Sequence, residues 1–126
     1  MRKLVLGLLL LVAACAPQHP GAHRQVVYFQ EWSAKLDENA QAAVDASAAF
    51  VKQHPTGMVT VIGYADPEGS AQANIEVSRA RAQMVVDALV AAGVPAARIK
   101  REAKGETAYV QNSLESRRVE IVFGGP

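Results

Sequence analysis

Gly63-Tyr64-Ala65-Asp66-Pro67-Glu68-Gly69-Ser70, running on through Asn74 and Val77-Ser78 to Arg81-Ala82, is the stretch whose reading decides the fold. It opens at the end of a nearly all-apolar run, Met58 to Tyr64, as expected for a central strand covered on at least one face. Asp66 to Ser70 then reads as a turn, because Pro67 fixes one φ and Gly69 permits a sharp reversal. A helix follows from about Ala71 or Ser78 to Ala92, with Val77, Met84, Val85, Ala88 and Leu89 at the three-and-four spacing of a buried face. Gly93 supplies its stop and Pro95 the exit. Taken alone, an aspartate before proline is ordinary turn chemistry.

The flanks extend this strand-turn-helix unit in both directions. Val26-Val27-Tyr28-Phe29 is β-branched and aromatic and reads as a short buried strand. A helix is expected from about Ser33, with Asp37 and Glu38 at the positive end of its dipole. Its stripe is Leu36, Ala40, Ala43, Val44, Ser47, Phe50 and Val51, and Pro55 and Gly57 end it. Arg98 to Lys104 reads as a charged, peripheral strand. Arg118 to Phe123 alternates, placing Val119, Ile121 and Phe123 on one side. The order β-α-β-α-β-β predicts an α/β fold, a two-layer sandwich whose mixed sheet is covered by helices on one face.

Residues 1–14 stand outside that fold. Arg2 and Lys3 begin a short apolar run, Leu4 to Val12, too short to span a bilayer, and Ala13-Ala14 precede Cys15, the only cysteine. The pattern is that of a bacterial lipoprotein signal with Cys15 as the lipidated residue. The alternative is an ordinary secretory signal cleaved near Ala16. Ala16, rather than aspartate, after the cysteine favours outer-membrane sorting by analogy with the enteric rule. One cysteine forbids an internal disulfide. Residues 15–24 read as a polar tether of about 35 Å when fully extended. His19 and His23 in it are spaced as a metal pair, but without further ligands they read as solvated. Removing Arg2 and Lys3 leaves eleven basic against twelve acidic residues, so the remainder carries −1 and shows no nucleic-acid footprint. Residues 25–123 form one domain, followed by a tail at 124–126.

Gly63, Asp66, Gly69, Asn74, Ser78, Arg81 and Ala82, with Val77 a conservative replacement, fall at the spacings of a family pattern. Arg117-Arg118-Val119-Glu120-Ile121 matches its later block, with Ser116 for the usual asparagine. On these residues the chain resembles the OmpA-like peptidoglycan-binding domain, the module of peptidoglycan-associated lipoproteins, across about residues 25 to 123. The resemblance implies recognition of diaminopimelate in the peptidoglycan stem peptide by Asp66 and Arg81, with Asn74 and Arg118 as secondary contacts. The chemistry agrees: that side chain ends in an ammonium and a carboxylate on one carbon, suiting one fixed anion and one guanidinium fork. The other reading of Asp66 and Arg81 is a structural ion pair between them, and both roles are compatible. Arg79 cannot share the helix face of Arg81 and reads as solvated.

Several positions depart from the family pattern. Tyr64-Ala65 replaces a usual His-Thr, Tyr109 stands where proline is usual, and the loop after the first strand lacks its common aspartate. Trp32 in that loop either lines the pocket or covers core. No catalytic constellation emerges: Asp66 with Glu68 is the only close carboxylate pair, His54 sits beside a helix stop, and no metal cluster or cofactor is expected. The expectation is a non-enzymatic, lipid-anchored protein of the outer membrane with its domain in the periplasm, holding membrane to wall. The alternative is an envelope scaffold of the same fold that binds a protein partner.

Overall fold

The computed structural model describes residues 23–106 and 116–124. The signal, Cys15, His19 and the rest of the tether before residue 23 lie outside them, as does Tyr109. Strand β1 (His23–Tyr28) leads to helix α1 (Glu38–Gln53), then β2 (Val59–Ala65) and helix α2 (Ala71–Ala91). A single 3-10 turn, Ala96–Arg98, precedes β3 (Ile99–Glu106), and β4 (Arg118–Phe123) closes the domain. The sheet order is β1-β4-β2-β3, with β4 antiparallel to both neighbours and β2 parallel to β3. A parallel pair needs a crossover, and α2 provides it.

The register explains the core. Val27 and Gly63 flank Val119, while Val61 lies opposite Ile121 and Val59 opposite Phe123. These side chains pack on Ala40, Val44, Ala48 and Val51 of α1 and on Ala82, Val85 and Leu89 of α2. Both helices therefore cover one face of the sheet, the expected two-layer arrangement. Gly63 permits the close approach: a Cβ there would lie 2.0 Å from the Ser78 carbonyl oxygen. Ser78 is wholly buried, and its Oγ donates to the Ile75 carbonyl and accepts from Gly105 N–H, tying α2 to β3.

The structure decides four points. First, α1 begins at Glu38 rather than near Ser33, with Asp37 Oδ1 accepting from Ala40 N–H at 2.8 Å as N-cap. The Gln30 and Ser33 carbonyls are held by Arg81, which keeps that segment out of the helix. Second, of the two starts open for α2 the structure takes Ala71, capped by Ser70. Third, its buried face includes Asn74, Ser78 and Arg81, whereas Met84 is exposed. Fourth, His23 and Arg24 are strand, not tether. His23 is not solvated either: its ring stacks on Phe50 at 4.1 Å, and its Nε2 is buried.

Candidate functional site

The end of β2 delivers Asp66 into a cleft beside α2. Asp66 is nearly buried; its Oδ1 accepts from Glu68 N–H at 3.2 Å, which fixes the turn. Its Oδ2 accepts from an Arg117 terminal nitrogen at 3.3 Å. Arg117 in turn donates from Nε to the Phe29 carbonyl, and its own carbonyl accepts from Phe29 N–H. The residue just before β4 is thus held against the end of β1. Where the alternative reading paired Asp66 with Arg81, Asp66 is paired with Arg117.

Arg81 is only 1% exposed. Its Nε donates to the Ser33 carbonyl at 2.8 Å, one terminal nitrogen to Tyr64 at 3.3 Å and the other to Gln30 at 3.1 Å. The guanidinium also lies 5.4 Å from the Phe29 ring centroid. Three N–H groups of the five on a guanidinium are therefore engaged by backbone, leaving one on each terminal nitrogen for other partners. Burial is the main cause that lowers its pKa to about 10; the Arg117 charge lowers it further and the Asp66 charge opposes both. Arg81 stays cationic at neutral pH. It clamps the Gln30–Ser33 turn and the end of β2 to α2, as well as lining the cleft.

Asn74 is 1% exposed and lines the same cleft, and its Nδ2 has no hydrogen-bond partner. A buried amide donor left unmade costs free energy unless something else accepts from it. Trp32, Val77 and Ala65 supply the apolar side of the cleft, whose enclosed volume is about 10 Å³, room for roughly one water. A larger hollow of about 230 Å³ lies beside β1, but its only charged group is Asp37, already the cap of α1, so it offers no charge pair.

Arg118 does not belong to this cluster. It stacks over the Tyr64 ring at 4.0 Å and pairs with Glu120 at 3.8 Å, and Glu120 also meets Arg24 at 3.1 Å. Burial, then the hydrogen bond to Glu120, raises the Tyr64 pKa. These side chains share the sheet face away from the helices. Strand parity places the expected secondary contact Arg118 away from the cleft: Arg117 shares the phase of buried Val119, and Arg118 that of Glu120. That parity was present in the sequence. Arg79 is exposed, as expected.

Residues 28–120 match the profile of the OmpA family. The chain is 33% identical over 103 residues to the probable lipoprotein YiaD of Escherichia coli, covering 77% of this chain and 47% of that protein. It is 47% identical over 89 residues to outer membrane protein A of Serratia odorifera, covering 69% of this chain and 37% of that protein. It therefore spans less than half the length of either relative. In three dimensions it matches the peptidoglycan-associated lipoprotein of Burkholderia pseudomallei with a TM-score of 0.70 at 26% identity, covering 78% of this chain and 88% of that one.

Proposed function

Because this chain belongs to the OmpA family, we propose that it binds peptidoglycan non-covalently through the diaminopimelate of the stem peptide, while a lipid on Cys15 holds it to the outer membrane with the domain in the periplasm. The observation that carries this reading is the cleft itself. A buried carboxylate, two guanidinium groups and an unpartnered amide donor, Asp66, Arg81, Arg117 and Asn74, converge on one small space that Glu31 also lines.

The unliganded cleft has two cations against Asp66, with Glu31 at its rim. An amino-acid zwitterion satisfies all of them. Its carboxylate accepts from the free N–H groups of Arg81 and from Arg117, which relieves the repulsion between the two guanidinium groups. Asp66, partly released from Arg117, accepts from the ammonium. Asn74 Nδ2 donates to whichever ligand oxygen lies nearest. No proton moves and no bond is made or broken, so the site needs no catalyst, metal or cofactor.

The test is co-sedimentation of the purified domain with two kinds of sacculi, one carrying diaminopimelate and one carrying lysine at the third stem position. Binding to the first and loss of binding to the second is the expected result. Equal binding to both would overturn the side-chain assignment. Binding to neither would favour the scaffold alternative, a domain of this fold that serves a protein partner.

A further inference from the structure

We propose that Trp32 is a specificity-determining wall of this cleft, which takes the ammonium end of the ligand and its methylene arm against the indole face; the proposal rests on the peptidoglycan reading above. Trp32 has φ +51, the only positive φ at a non-glycine residue among those described. The Ser33 N–H donates to the Gln30 carbonyl at 3.1 Å, so Glu31 and Trp32 are the central pair of a turn. The second central position of such a turn favours glycine or asparagine. A tryptophan there is strained, and strain of this kind persists only where the surroundings impose it. Arg81 imposes it, gripping the carbonyls on both sides of the turn.

More than half of Trp32 nevertheless stays open to solvent, at 54% exposure. What it does cover is informative. A Cβ on Gly69 would lie 2.9 Å from Trp32 Cη2, so the indole rests on the glycine of the turn that carries Asp66. Gly69 itself has φ +87 and leaves the room the ring occupies. Trp32 thus bridges two loops and walls the cleft beside Asp66, with Val77 behind.

A carboxylate next to an aromatic face is a receptor for an organic cation on a hydrocarbon arm. The carboxylate takes the charge and a hydrogen bond, while the π-face attracts the ammonium and covers the methylenes. The guanidinium groups take the carboxylate of the same ligand from the opposite side. The class of ligand is therefore an α-amino acid end on a short aliphatic chain, and acylation of its amine should be rejected.

Trp32 is the only tryptophan in the chain, so its emission reports the cleft directly. The folded protein is titrated with a disaccharide tripeptide ending in meso-diaminopimelate, and with the same compound acetylated on the side-chain amine. The first should change the Trp32 emission saturably; the second should bind about ten-fold more weakly. Trp32→Ala and Trp32→Gly, followed by calorimetry, should each lose affinity about ten-fold, and Trp32→Phe should keep most of it. Trp32→Gly relieves the positive φ, so it should fold at least as stably as the wild type, which separates backbone from ring. Wild-type affinity in Trp32→Gly, or an emission that does not respond to ligand that binds, overturns the proposal alone. Failure of the wild type to bind either the tripeptide or sacculi overturns the peptidoglycan reading and this proposal with it.

Discussion

Arg81→Met should unfold the domain at markedly lower temperature, because Arg81 holds the fold as well as facing the cleft. The side chain is 1% exposed and its three observed hydrogen bonds reach Gln30, Ser33 and Tyr64. Hydrogen bonds from a charged donor contribute roughly 1.5–3 kcal/mol each. Against them stands the cost of burying the guanidinium, which methionine does not incur. The Gln30 carbonyl lies in an exposed residue and can rehydrate, whereas that of Tyr64 sits inside the sheet end. The net loss should be ~3 kcal/mol, which in a domain of this size lowers Tm by roughly 12–24 °C. Thermal melting by far-UV circular dichroism, with urea titration to check that the slope is unchanged, measures it. The loss should be constant across neutral pH. Folding holds the Arg81 pKa at about 10, below its ordinary value, so the folded state releases its proton first and stability turns upward only as pH rises past that value. A variant melting within about 4 °C of wild type, less than ~1 kcal/mol, would refute the clamp.

Three further outcomes follow from the same geometry. Gly63→Ala puts a Cβ 2.0 Å from the Ser78 carbonyl, so α2 must shift and stability should fall by ~3 kcal/mol, read by urea unfolding. Arg118→Ala should leave sacculus binding within about two-fold of wild type, because it does not line the cleft and contacts Tyr64 and Glu120 on the other face of the sheet; a larger loss in co-sedimentation would make it a ligand contact. Cys15→Ser should give a folded domain that no longer fractionates with membranes after a high-salt wash; persistence in that fraction would dismiss the lipid anchor.

The architecture was legible where apolar residues do the specifying. Val59 and Val61 of β2, the alternation Val119-Ile121-Phe123 of β4, and the stripe of α1 point to their partners directly. Periodicity misjudged α2 because its innermost face carries Asn74, Ser78 and Arg81, which a hydrophobic reading assigns to solvent. Burying them is feasible only because Arg81 finds three carbonyls and Ser78 two backbone partners, none of which neighbours it in sequence except Ile75. The start of β1 is hidden in the sequence for a similar reason. His-Arg-Gln is a poor strand on composition, and pairing with β4 together with the stack on Phe50 overrides it.

In the cleft, Asp66, Asn74 and Arg81 could be picked out from their spacing along one strand-turn-helix unit. The pairing of Asp66 could not, since Arg117 arrives from 51 residues further along the chain. Its parity with Val119 identifies the facing side, but only the β1–β4 register brings it to Asp66. The left-handed backbone of Trp32 had no local signal at all, because the residue type argues against it.

The most direct measurement is the affinity of the folded domain for a diaminopimelate-containing tripeptide, compared between wild type and Asp66→Asn by isothermal titration calorimetry. The substitution keeps the shape of the side chain and removes the one buried anion that faces the ligand's ammonium. The charge-pair reading predicts a loss of ~2 kcal/mol or more, roughly thirty-fold in Kd. An unchanged Kd for Asp66→Asn would contradict it, because the cleft would then hold its ligand without using the carboxylate on which the account rests.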